Sequence, residues 1–148
     1  MRSDAASVLS ALLTGRGRAG LTRGLSRRPR TGAGLPRESH SMERPLLVYT
    51  TFPDAPTALE IGEALVRARL AACVNVIPGM QSVYAWKGAV ERGTEVVAIL
   101  KTRDGLADAL AAELKRRHPY ETPIILHLPV SGADPDTAAW IASETGLG

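Results

Sequence analysis

From residue 44 onward the hydrophobic positions of this 148-residue chain switch between a period of two and a helical period, and each switch marks an element. Leu46–Phe52, rich in β-branched and aromatic residues, predicts a strand. Asp54 or Thr57 can cap the helix that follows, and Thr57 with Glu60 three residues on has capping-box spacing. Ile61, Leu65 and Ala68 then recur at helical period to about Leu70. Cys73–Trp86 predicts a long strand with a break at Pro78-Gly79, where proline removes a ladder donor and glycine permits a bulge. Lys87-Gly88 supplies turn chemistry and Val90–Lys101 returns as a third strand, giving a long hairpin. Asp104 is the expected cap of a second helix with Leu106, Leu110 and Leu114 on one face, stopped by Pro119. Ile124–Val130 predicts a fourth strand and Pro135–Ser143 a short closing helix.

The order strand-helix-strand-strand-helix-strand is the split βαβ arrangement of the α+β, ferredoxin-like fold, with a short C-terminal helix added. It predicts a four-stranded antiparallel sheet carrying two helices on one face. The other face of such a sheet is commonly wet, with polar residues alternating against apolar ones. Here both faces are apolar. Val96, Ala98 and Leu100 point one way and Val97 and Ile99 the other; Ile124, Leu126 and Leu128 are opposed by Ile125, and Leu46 and Val48 by Leu47 and Tyr49. Two helices cover one face only, so a contiguous apolar surface is left that calls for an oligomer.

Charge separates the chain into two parts. Residues 1–41 hold eight arginines against Asp4 and Glu38, about +6; the whole chain carries +3, which leaves residues 42–148 at about −3. The basic balance is therefore a property of an Arg-rich N-terminal extension, rich also in Gly, Ser and Ala. It has too few large hydrophobes to offset its ordering entropy and is expected to be disordered. Ala5–Leu13 could form a short amphipathic helix, and the acid-poor composition suits a mitochondrial transit peptide. Met42, directly before the patterned body, instead allows the extension to be an upstream addition without function. The run Val8–Leu13 is too short for a membrane span. The body has no basic patch and no aromatic RNA-reading signature, so no nucleic acid and no membrane partner is expected.

Candidate chemistry is sparse. Cys73, the single cysteine, excludes an intrachain disulfide and suits a reducing, cytoplasmic compartment. It reads either as a small buried hydrophobe or as a thiolate ligand for a soft cation such as copper. Asn75 reads as a residue that holds the bend before Pro78. Of three histidines, His40 lies in the extension and His127 alternates with apolar residues on a sheet face, one of its nitrogens satisfied. His118 ends the second helix, where the exposed carbonyls favour a cation, or else it ligates a metal with Tyr120 and Glu121 beside it. Tyr84, Trp86 and Lys87 stand at the hairpin tip, with Glu95 and Lys101 on the returning strand. These read as solvated strand ends and a packing anchor, or as the wall of an intersubunit cleft for a small anion. There is no P-loop, no dinucleotide fingerprint and no paired-cysteine metal motif, and no catalytic signature is found. Where acyl phosphatases of this fold carry an Arg-containing phosphate loop, the chain has Thr50-Thr51-Phe52-Pro53.

Three segments in order, Ala72–Gly88, Lys101-Thr102 and His118-Pro119-Tyr120-Glu121-Thr122-Pro123, resemble the CutA family of divalent-cation tolerance proteins over about Arg44 to Ile141. The resemblance implies a homotrimer whose sheets face inward, without enzymatic activity. It implies binding of copper, another divalent cation or a small ligand, and a part in the response to metal ions. A PII-like signalling trimer with a small effector between subunits is the alternative, and a small hydrolase using His118 and Glu121 a third. Four positions depart from the family pattern. Thr50 stands where some members have cysteine, Arg117 where some have a second histidine, Ile124 where glutamate is usual and Thr137 where tyrosine is usual. Each departure removes a potential ligand or polar wall.

Overall fold

The structure is a computed structural model that describes residues 44–147. The expected disordered extension, with Ala5–Leu13, His40 and Met42, lies outside the described residues. Strand β1, Pro45–Phe52, sends alternate side chains to opposite faces, so Leu46, Val48 and Phe52 point together into the core. Helix α1, Ala55–Arg67, is capped by Asp54, whose carboxylate accepts from the Thr57 N–H at 2.8 Å. Thr57 is thus the capped residue and not the cap, and the Thr57–Glu60 box does not form the helix start. The helix also ends earlier than the periodicity predicts, because Arg69 takes φ 58° and turns the chain so that Leu70 N–H donates back to Leu65 O. Arg69 is held in that left-handed conformation while its guanidinium donates to Ser143 O at 2.6 Å.

Strands β2, Cys73–Trp86, and β3, Ala89–Arg103, form the predicted hairpin. Lys87 and Gly88, at φ 45° and 80°, make a two-residue turn of the kind whose twist matches a hairpin. The register slips between Ile77 and Met80, and Gly79 absorbs the bulge at φ 75°. A 3-10 turn, Asp104–Leu106, then precedes helix α2, Ala107–Arg117. Asp104 does not cap α2, whose start has no side-chain cap; its N–H instead donates to Arg44 O, tying the end of β3 to the start of β1. Strand β4, Ile125–Pro129, and helix α3, Pro135–Ala142, complete the chain, α3 being capped by Asp134.

The four strands lie in the order β2-β3-β1-β4, all neighbours antiparallel, which is the expected ferredoxin-like topology. One sheet face packs on the helices. Ala58, Ile61 and Leu65 of α1 and Leu110 and Leu114 of α2 meet Val48, Phe52, Ala98 and Leu100, with Leu65, Leu110 and Leu114 fully buried. Each large aliphatic so buried contributes roughly 1.5–3 kcal/mol. Ala68, expected on the inner face of α1, is exposed past its end, and Gly62 occupies the inner face where α1 approaches Val74. On the opposite face Ile77, Leu126 and Leu128 remain 50 %, 50 % and 42 % exposed beside Leu47, Tyr49, Val97 and Ile99. Among the described residues, 89–95 of β3 pair with β2 alone, since β1 reaches only Val96, so the outer hairpin projects from the sheet as an arm. His127 faces the helix side from edge strand β4 and is exposed.

Candidate functional site

The end of α2 places the first candidate. Pro119 cannot continue a helix, and His118 leaves it in an extended conformation while its N–H still donates to Leu114 O. The imidazole turns away from the helix end and stacks on Phe52, centroids 4.4 Å apart and planes within 15°. Nε2 lies 2.9 Å from Thr51 O, and Nδ1 accepts from the Tyr120 N–H at 3.1 Å. The Nε2–H tautomer of a neutral ring satisfies both contacts. Burial holds the His118 pKa below its ordinary 6.5, against opposing pulls from the Thr51 carbonyl and Glu95. This corrects the reading of His118 as a cation on the helix terminus: it is a neutral brace between β1 and the loop after α2. Neither ring nitrogen is free in this arrangement, so ligation of a metal by His118 would require one of these bonds to break.

Glu95 gathers the hydroxyls around it. Its Oε1 accepts from Tyr120 OH at 2.9 Å and Thr51 Oγ1 at 3.2 Å, and its Oε2 from Ser82 Oγ at 3.4 Å. Ser82 Oγ also lies 3.1 Å from Met80 Sδ. Burial, then the bond to Glu95, pushes the Tyr120 phenol well above its usual pKa. Farther along the arm Tyr84 OH donates to Glu91 Oε2 at 3.1 Å, and desolvation, then Glu91, raises its pKa. At the tip Lys87 Nζ sits 5.3 Å from the centre of the Trp86 ring.

The structure therefore unites Glu95, Tyr120 and His118, and sets Tyr84 and Trp86 in line with them on the arm. Lys101 does not join them. It lies six residues along β3 from Glu95, roughly 20 Å away at the strand rise. Its cross-strand partner is Cys73, half-buried on the open sheet face, so Cys73 and His118 do not share a site within one subunit. Glu121 is exposed. Thr51, Phe52, Ser82 and Met80 belong to the cluster without having been singled out in the sequence. Period-two alternation puts Thr51 on the face of Glu95, but the contact depends on a register that only pairing reveals. Among the described residues no group of three or more His, Cys, Asp or Glu side chains could hold a metal ion. The groove between α1 and β2, lined by Leu59, Gly62, Glu63, Val66, Arg67 and Val74, contains none of the expected site residues. Among the described residues no helix is long and apolar enough to cross a membrane.

A family model described as CutA1 divalent ion tolerance protein matches residues 46–144. The chain is 41% identical over 103 residues to the "Divalent-cation tolerance protein CutA" of Pectobacterium atrosepticum, covering 67% of this chain and 94% of that protein. It is 36% identical over 100 residues to "Protein CutA 1, chloroplastic" of Oryza sativa, where the match covers 68% of this chain but 56% of the relative. The crystal structure of the divalent ion tolerance protein CutA1 from Ehrlichia chaffeensis superposes with a TM-score of 0.68 at 33% identity, covering 72% of this chain and all of that one. These relatives lend no support to the PII-like signalling alternative. With the matched fold, the three sequence segments and the span of the family match in agreement, the chain belongs to the CutA1 divalent ion tolerance protein family.

Proposed function

We propose that the protein is a non-enzymatic, homotrimeric divalent-cation tolerance protein whose cation site is completed between subunits. The observation that carries this reading is the open sheet face, where exposed Ile77, Leu126 and Leu128 share a surface with half-buried Cys73. Apolar burial of about 1,000 Å² per subunit would contribute roughly 25 kcal/mol gross at 25 cal/mol per Å². That outweighs an association cost of about 4–15 kcal/mol. Assembly through this face multiplies Cys73, which a single subunit supplies only once, and a thiolate favours copper among the divalent metals. His118, Tyr120 and Glu95 in this reading hold the strands and loop in place and do not ligate the metal. A half-buried free thiol suits a reducing compartment, and the cytoplasm is the location that follows from it.

Native mass spectrometry under copper titration in a reducing buffer tests the proposal. The expected species is a trimer that takes up copper, with uptake reduced in Cys73→Ala and retained in His118→Gln. A monomer at micromolar concentration would end the assembly reading. Unchanged copper stoichiometry and affinity in Cys73→Ala would end the thiolate reading.

A further inference from the structure

A chain of hydrogen bonds runs from the buried imidazole to the base of the projecting arm. His118 Nε2 bonds Thr51 O on β1, Tyr120 N–H donates to His118 Nδ1, Tyr120 OH donates to Glu95 on β3, and Ser82 Oγ of β2 donates to the same carboxylate. Three of these links depend on Tyr120 or Glu95. The first two form together on a neutral ring with its proton on Nε2; the bond to Thr51 O survives a second proton and the one accepted by Nδ1 does not. A second proton would turn Nδ1 from acceptor to donor, facing the Tyr120 N–H, which is itself a donor.

We propose that this chain of bonds is an acid-sensitive latch: protonation of His118 expels the Tyr120 backbone from Nδ1, withdraws the phenol from Glu95 and loosens the base of the arm formed by residues 80–95. The charged ring, itself 8 % exposed, would also be poorly solvated. The ionisable groups that act on or touch the ring are Glu95 from β3 and Tyr120 from its own loop; Arg117 and exposed Glu121 are its neighbours in sequence, and Asp54 at the α1 cap acts on the Tyr120 phenol. Glu95 alone among them pulls the ring toward its charged form, and burial outweighs it, so the latch is closed at neutral pH. The device is independent of how the cation is bound.

Residue-resolved amide exchange on the full chain between pH 8 and 5, corrected for intrinsic rates, tests it. Protection at Tyr120 and across residues 80–95 should fall together as the pH drops below about 6.5. The fall should be at most about tenfold per pH unit, as for opening linked to one proton, while the α2 core amides hold. In Tyr120→Phe the position-120 amide should still respond and the arm should not, because the phenol link is cut. In His118→Gln neither should respond. Ring nitrogen shifts of the unmodified chain at pH 8 should report the Nε2–H tautomer. The proposal is overturned by arm protection that is flat with pH, by an arm response that survives in Tyr120→Phe or His118→Gln, or by an Nδ1–H ring.

Discussion

Tyr120 donates its hydroxyl to Glu95 over 2.9 Å although the two residues are 25 apart in sequence. The bond fastens the loop after α2 to β3, the strand that carries the arm. Removing it by Tyr120→Phe should cost about 1.5–3 kcal/mol, the range for a hydrogen bond to a charged group. Thr51 and Ser82 still serve the carboxylate, so no buried charge is orphaned. Denaturant titration should show a lower midpoint at unchanged slope.

Thr50 offers the opposite outcome. Its hydroxyl is fully buried and has no hydrogen-bond partner among the described residues. Thr50→Val keeps the β-branched shape and removes the unsatisfied group, so it should stabilise by about 1 kcal/mol. A thermal melt that falls instead would show that the hydroxyl has a partner in solution.

Gly62 is in α1, where alanine would ordinarily be favoured by about 1 kcal/mol. A Cβ there would meet the Val74 side chain at 3.1 Å, and the nearest atom is Val74 Cβ, which cannot swing aside without moving β2. Gly62→Ala should therefore destabilise by about 1–2 kcal/mol through overpacking. Pairing it with Val74→Ala should recover part of that loss, and a double-mutant cycle measures the coupling.

His118 sets a pH dependence with a definite sign. Its folded pKa is lowered from 6.5, so the unfolded chain binds the proton more readily. The stability it confers is complete above about pH 6.5 and is lost as the pH falls through the lower folded value. Unfolding free energies measured between pH 7.5 and 5 should drop with acid in the natural chain, and His118→Gln should flatten that part of the slope.

On the open face, Leu126→Glu should lower the mass seen by light scattering at micromolar concentration, since a charge would enter an apolar contact between copies. A chain started at Met42 should keep the assembly of the full chain and melt within a few degrees of it, because residues 1–41 are poor in core-forming hydrophobes.

The element order was legible in the residues because it rests on local signals. Period-two runs marked β1 to β3, leucines at helical spacing marked α2, and Lys87-Gly88 and Pro78-Gly79 marked the turn and the bulge. The doubly apolar sheet could also be read, since alternation assigns each residue a face before any contact is known. Helix ends were less legible: Arg69 reverses the chain with help from Ser143, far along the sequence, and Asp104 bonds Arg44 instead of starting α2. The site was least legible. His118, Tyr120 and Glu95 could each be named from sequence, but not that the ring faces Thr51, nor that one carboxylate collects three hydroxyls. Cys73 and Lys101 are set apart from them by the register of β2 on β3. Local spacing fixes which face a side chain takes; long-range strand pairing decides which side chains meet, and with it which imidazole nitrogen carries the proton.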